Sequence, residues 1–370
     1  MKPTPSTAKK LPAFLWGILL FMISVILGLC ARTIPGFAHG YSTRFYPLLA
    51  GSLGRFSSLF PFSLSEFSLF LLLFFLVRMF LRFWKSPLLL LGRIFFLCSF
   101  LLFLFTVNCG VNYYRSPFSS EASISSDPHS LEELKELCTF LTSELNKARK
   151  EIEDRETEEK GSISSSFSVL SQAGTEGRKA MIRLGEQFPQ LAGYYPRPKP
   201  VFFSRMLSIQ QLCGVYSPFT IEANYNREMP FSNIPHTICH ELSHLRGYMR
   251  EDEANFISYL ACIHSPSPAF RYSGLFIGWI HATNALAEAD RECFLEIYHT
   301  LDEQVIRDLE AHDQFWSQFE GPVAEASAQV NDAYLKAHSQ EAGIQSYGRM
   351  VDLMLSYYEE MLSAVSDSSK

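Results

Sequence analysis

The sequence predicts a mainly α-helical fold with a small β-sheet, an α+β arrangement in which membrane-spanning helices precede the folded domain. Three observations carry this expectation. Between residues 11 and 111 the chain holds three long apolar stretches. From residue 131 onward, helical spacing of apolar residues dominates. Only residues 200–226 break that rhythm, with strand-like runs interrupted by proline.

The apolar stretches come first. Leu11 to Ala31 carries no charge and is long enough to cross a bilayer. Phe67 to Trp84 is apolar apart from Arg78 and Arg82, which lie near one end and can reach a headgroup layer. Ile94 to Val111 has no charged residue and is followed by Tyr113-Tyr114, a pair suited to the membrane interface. A cleaved signal peptide with two buried helices is the plainer alternative. It leaves the second and third stretches unexplained, and no A-x-A site follows the first. Spans are therefore expected at about 11–31, 67–84 and 94–111.

Lysine and arginine set the expected orientation. Lys2, Lys9 and Lys10 precede the first span, and Arg78, Arg82, Lys85 and Arg93 surround the turn between the second and third. The positive-inside rule puts both clusters in the cytoplasm, so residues beyond about 112 are expected outside it. The chain reads as a multi-pass protein of the cell membrane, with the bilayer as a partner.

The remaining elements follow in order. Residues 32–66 read as an interfacial loop broken at Pro47 and Pro61, and the Ser-rich stretch 116–130 as a linker. A helix is expected from Leu131 to about Glu159, with Leu134, Leu137, Leu141 and Leu145 on one face. Ser130 suits its N-cap and Glu133 the capping-box partner. Lys147 to Lys160 is a solvated charge run, and a second helix covers roughly 167–188. Residues 200–207 look like a strand, and Gly214 to Asn226 like a second strand region broken at Pro218. After residue 233 the chain reads as helix, with breaks near Gly247, Pro266–Pro268 and Gly321–Pro322; Gly274 to Ala287 is expected to be a core helix. This divides the chain into a membrane region (1–111), a helical linker or subdomain (112–198) and a final domain (199–370).

A net charge of −6 without a basic stripe argues against nucleic acid as a partner. The eight cysteines are scattered singly with no C-x-x-C pair, which disfavours cysteine zinc sites and leaves mostly free thiols.

The chemistry concentrates in His240-Glu241-Leu242-Ser243-His244, which fits H-E-x-x-H. On a helix, positions i and i+4 share a face, so both imidazoles reach one metal ion. Glu241 then sits where an attacking water needs a general base. Ile238, Leu242 and Leu245 mark an apolar helix face around the motif, and Pro235 suits its first turn. The plainer reading is two surface histidines beside a solvated glutamate.

A hydrolytic zinc site wants a third protein ligand. In the metzincin pattern H-E-x-x-H-x-x-G-x-x-H, Gly247 falls on the glycine, but the third histidine position holds Arg250, a cation that cannot ligate. Glu251 and Glu253 follow. Glu251 to Asn255 matches E-x-x-A-N, a third-ligand pattern of gluzincin-type peptidases. Helical spacing puts Glu251 and Asn255 on one face, so Glu251 is expected at the metal and Asn255 on a ligating histidine. Glu253 is the alternative ligand. For either glutamate the plainer role is a carboxylate at a helix N-terminus.

These residues give the chain a resemblance. It resembles a bacterial family of multi-spanning membrane proteins catalogued as a domain of unknown function and described as gluzincin-like zinc metallopeptidases. The matching segments are Val111–Arg115, Gly214–Thr220 with Glu222-Ala223-Asn224, the His240–Phe256 block, Ala333–Lys336 and Ser346–Met350. The resemblance implies a zincin domain holding one Zn²⁺ and anchored in a membrane; it implies no substrate.

Other candidates complete the expectation. Tyr216, Glu222 and Asn224 are candidates for a substrate groove, although a plain strand role is the simpler reading. His281 and Tyr347 are candidates for stabilising an oxyanion. His236 shares the face of His240 but reads more simply as a helix-start residue. The function expected is a membrane-anchored zinc peptidase acting on peptides or proteins. The alternative is a non-catalytic membrane sensor or scaffold with a structural or vestigial zinc site.

Overall fold

The computed structural model describes residues 12–125, 129–158, 165–337 and 348–368. Helix α1 (Pro12–Thr33) leads into α2 (Phe37–Gly40), a π-helical turn at Tyr41–Phe45, and α3 (Tyr46–Ser57). Next come α4 (Leu64–Phe83) and α5 (Pro87–Asn108). Among the described residues α1, α4 and α5 are the three helices long and apolar enough to cross a membrane. No residue of α4 is buried by protein. The third span begins earlier than expected because Pro87 occupies its first turn, where a missing N–H costs no hydrogen bond.

The expected loop at 32–66 is instead largely helical. Pro47 lies in the first turn of α3 and so starts a helix rather than breaking one. The segment is also a strut rather than a surface loop. Tyr46 is fully buried, and its hydroxyl meets the Leu245 carbonyl and the Tyr216 hydroxyl, each at 2.9 Å.

A 3₁₀ turn (Gly110–Tyr114) and α6 (Phe118–Ala122) link the spans to α7 (Leu131–Glu158) and α8 (Ser165–Gln187). The expected capping box opens α7. The Glu133 N–H donates to Ser130 Oγ at 3.3 Å, and the Ser130 N–H donates to the Glu133 carboxylate at 2.5 Å.

Three short strands follow, β1 (Lys199–Pro200), β2 (Gly214–Ser217) and β3 (Glu222–Tyr225), with α9 (Ser204–Ile209) between the first two. The sheet order is β1-β3-β2; β1 runs parallel and β2 antiparallel to β3. The strand expected over 200–207 is thus confined to its first residue, and the rest turns into α9. Phe202 and Phe203 are exposed, and their backbone N–H groups go to the Glu66 carboxylate at 2.9 and 2.8 Å rather than to a sheet. Apolar residues there do not mark a buried strand.

The chain then forms α10 (Ile234–Leu245), α11 (Glu251–Ile263), α12 (Pro268–Ala289), α13 (Arg291–Tyr298), α14 (Glu303–Ser317), α15 (Pro322–Ala337) and α16 (Gly348–Ser368). One core unites Leu137 and Leu141 of α7, Met181 of α8, Ile238 and Leu242 of α10, Leu260 of α11, Phe276 of α12 and Met354 of α16. Ile238, Leu242 and Leu245 have no exposed surface, and each such side chain contributes roughly 1.5–3 kcal/mol. Helix α12 is the expected core helix; Trp279 also donates to Thr142 of α7 at 2.8 Å. Helix α10 therefore sits at the centre, between the sheet and three packed helices.

Candidate metal centre

Helix α10 ends where Gly247 adopts φ +95°, a left-handed conformation that costs glycine little. The chain turns and enters α11 at Glu251. Buried Arg115 braces that turn, donating to Tyr248 Oη at 2.7 Å, to the Arg246 carbonyl at 3.2 Å and to Glu121. The turn brings the first residues of α11 against the last residues of α10.

His240, His244 and Glu251 consequently meet. Glu251 lies 3.2 Å from His240 Nε2 and 3.5 Å from His244 Nε2, and the three donors all lie within 4.8 Å of one another. Tetrahedral zinc with bonds of about 2.0–2.1 Å separates its donors by roughly 3.3 Å, which these two distances bracket. The opposite ring nitrogens are engaged: His240 Nδ1 with Asn255 Oδ1 at 2.7 Å and His244 Nδ1 with the Tyr248 carbonyl at 2.8 Å. Protons on both Nδ1 atoms leave both Nε2 lone pairs facing Glu251, the orientation metal ligands need. The donor set and its hydrogen bonds fit a zinc ion.

Electrostatics point the same way. Burial raises the Glu251 carboxyl, but the charges of His244 and His240 outweigh it and hold the group at about 2. Burial lowers His240, yet the hydrogen bond and charge of Glu251 bring it up to about 9.

Glu253, the alternative ligand, points elsewhere. Its Oε1 accepts the Phe118 N–H at 2.7 Å and lies 3.8 Å from Arg250. It ties α6 to α11 rather than facing the histidines. His236 is buried one turn before His240, with Nε2 at 2.7 Å from Ser258 Oγ.

Glu241 faces the same cleft, a cavity of about 620 Å³. Burial raises its carboxyl to about 8, against the pull of His240, with the charge of Glu251 adding to the rise. The backbone of Tyr216 in β2 hydrogen-bonds it. Gly214 makes room for it: a Cβ there would stand 2.5 Å from Glu241 Oε1 and 2.8 Å from the Asn224 carbonyl. Sequence reasoning did not single out Gly214, because its need arises from the approach of β2 to α10.

The other candidates fall in different places. Tyr216 borders the cleft, but its hydroxyl is bound to Tyr46 and to the Asn108 carbonyl at 3.0 Å. Glu222 and Asn224 are not among the residues lining it. Glu222 is buried against Lys199 and accepts the N–H groups of Leu64 and Ser65 at 3.1 and 2.7 Å. Asn224 donates to Ser65 Oγ at 3.2 Å. His281 lines the cleft; burial and the charge of His240 hold it down to about 4, so it is neutral. Tyr347 lies outside the described residues.

Two tyrosines were missed. Tyr334 of α15 lines the cleft, with its hydroxyl 2.8 Å from that of Tyr113. Burial pushes both hydroxyls far above their usual range, so both remain protonated. Tyr113, expected at the membrane interface, is buried in this wall. Nothing in the composition of α15 marks Tyr334; only the segment Ala333–Lys336 drew notice.

A pair of imidazoles, His244 buried and His240 half-buried, joined by a carboxylate on two helices of a protein with membrane-length helices, defines a three-donor metal-site geometry. A family model described as "Protein of unknown function (DUF3810)" matches residues 41–355, and the chain belongs to that family. The match runs from the π-helical turn through α4, α5 and the sheet into α16. No curated protein and no solved structure matches the chain.

Proposed function

We propose that this chain is a membrane-anchored zinc metallopeptidase of gluzincin type, with its active site on the extracytoplasmic side. The observation that carries the reading is the convergence of His240, His244 and Glu251 in one cleft with Glu241. A zinc ion held by those three residues would supply Lewis acidity to the scissile carbonyl and acidity to water.

The chain's own groups do the rest. Glu241 accepts a proton from the attacking water at its carboxylate and returns it to the leaving amine nitrogen. Asn255 and the Tyr248 carbonyl hold the two imidazoles in register. Tyr334 and His281, which line the cleft, are the candidates to hydrogen-bond a developing oxyanion. Strand β2 ends the sheet beside Glu241, so its outer edge suits an extended peptide added as a further strand. The lysines and arginines around the spans support the extracytoplasmic orientation.

The test measures bound zinc and cleavage of a peptide library by the full-length wild type and Glu241→Gln. Both are expected to bind zinc, and only the wild type to cleave. Zinc binding with no cleavage by the wild type sinks the peptidase reading and favours a sensor or scaffold. Absence of zinc binding sinks the peptidase reading and a structural zinc site alike.

A further inference from the structure

We propose that the segment Phe202–Met206, which belongs to the metal-binding part of the chain, is seated in the bilayer beside α4. Three large apolar side chains within five residues stand open: Phe202 is 67%, Phe203 48% and Met206 58% exposed. Facing water, that surface would carry a hydrophobic cost; facing lipid it carries none.

Its height along the membrane is set by hydrogen bonds. The Glu66 carboxylate, in the first turn of α4, accepts both the Phe202 and Phe203 N–H groups. The Phe203 ring then packs on Phe70 with centroids 5.7 Å apart and on Phe202 at 4.9 Å. Phe70 lies one turn beyond Glu66, about 6 Å further along the span. The segment therefore reaches the depth of the first apolar turn of α4, while Glu66 keeps both oxygens occupied above it.

The surface is also continuous with one that lipid must cover. No residue of α4 is buried, and Phe67, Leu69 and Phe70 are exposed on it. A chain of ring contacts, Phe56–Phe60–Phe62–Phe67 at 5.6, 5.8 and 5.9 Å, extends the same apolar belt to α3. Beside the Glu66 carboxylate the charges at the tip are basic: exposed Arg227 lies over the Phe202 ring at 5.5 Å and donates to the Phe202 carbonyl, and exposed Arg205, within the segment, lies over the Phe319 ring at 4.6 Å. An aromatic ring below a guanidinium matches the acyl and phosphate levels of a leaflet. This seating also holds the metal-site cleft near the headgroups, since Phe105, in the last turn of α5, lines that cleft.

The proposal rests on α4 crossing the membrane, and one experiment reports both. The full-length protein is reconstituted in vesicles of phosphatidylcholine and phosphatidylglycerol and labelled with a lipid-soluble aryl diazirine, and the adducts are mapped by mass spectrometry. Residues 202–206 are expected to label to the same extent as Phe67–Phe74 of α4. Phe202→Ser with Phe203→Ser and Met206→Ser loses the segment's labelling and keeps that of α4. Labelling of 202–206 only at the level of buried α10, with α4 labelled strongly, overturns the seating while leaving the span intact. Cross-links at position 203 between two copies of the chain overturn it in favour of a protein partner.

Discussion

Asn255 Oδ1 and His240 Nδ1 stand 2.7 Å apart, so α11 supplies both a candidate metal donor, Glu251, and the group that orients a histidine toward it. The amide nitrogen of Asn255 is buried with no hydrogen-bond partner, so only its oxygen contributes. Asn255→Ala is expected to weaken zinc affinity by about 10–100-fold, measured by competition with a chromogenic chelator. Asn255→Asp keeps the acceptor, discards the unpaired nitrogen and retains affinity. Equal affinities for wild type and Asn255→Ala would show that His240 needs no such partner.

Gly214→Ala separates the base from the metal. The added carbon would press on Glu241 Oε1 and on the Asn224 carbonyl, neither of which is one of the three candidate donors His240, His244 and Glu251. Zinc stoichiometry should be unchanged, while peptide turnover falls by about 100-fold, the scale of loss for a misplacement of roughly 1 Å. Metal analysis and turnover on one preparation check both halves.

How much of this was legible beforehand depends on the range over which each residue acts. His240, His244, Glu251 and Asn255 lie on two consecutive helices, so helical spacing alone brings them together once Gly247 turns the chain. The capping box at Ser130 and Glu133 is local in the same sense. Gly214, Tyr113 and Tyr334 matter because distant elements meet, and no local pattern records that. The strand expected at 200–207 failed for another reason. Apolar residues announce that water is excluded, not whether protein or lipid excludes it, and Phe202 and Phe203 face outward. Pro47 misled because proline ends a helix from within but begins one at its first turn.

The buried Lys199–Glu222 pair fastens α4 to the sheet, since Glu222 also takes the Leu64 and Ser65 N–H groups. Glu222→Ala strands a buried ammonium and two backbone donors, and should cost about 3–5 kcal/mol. Lys199→Met with Glu222→Leu removes both charges and should recover part of that loss, but not the donors at the start of α4. Thermal unfolding in detergent provides the comparison, and equal stability of the single and double variants would refute the pairing argument.

Two neighbouring glutamates should separate cleanly. Glu251→Gln removes the anionic donor and should abolish tight zinc binding with the fold intact. Glu253→Ala should keep zinc but lose roughly 1–3 kcal/mol of stability, because the buried Phe118 N–H then has no acceptor. Zinc titration and unfolding curves of the two variants form the test, and the reverse pattern would make Glu253 the ligand.

Finally, the packing of α10 decides whether zinc builds the fold or only works within it. Ile238, Leu242 and Leu245 are fully buried, and α10 packs against α8, α11, α12 and the sheet. His240→Ala should therefore leave a folded, helical protein that has lost zinc binding and cleavage. In the wild type, zinc at about a hundredfold above its Kd should raise stability by about 2.7 kcal/mol through mass action alone. That increment should vanish in His240→Ala, whose zinc-free stability falls by its lost contacts with Glu251 and Asn255 without loss of the fold. Far-ultraviolet circular dichroism and unfolding with and without zinc measure each quantity. A variant that fails to fold at all would mean that the metal organises α10 and α11, which is the signature of a structural site rather than a catalytic one.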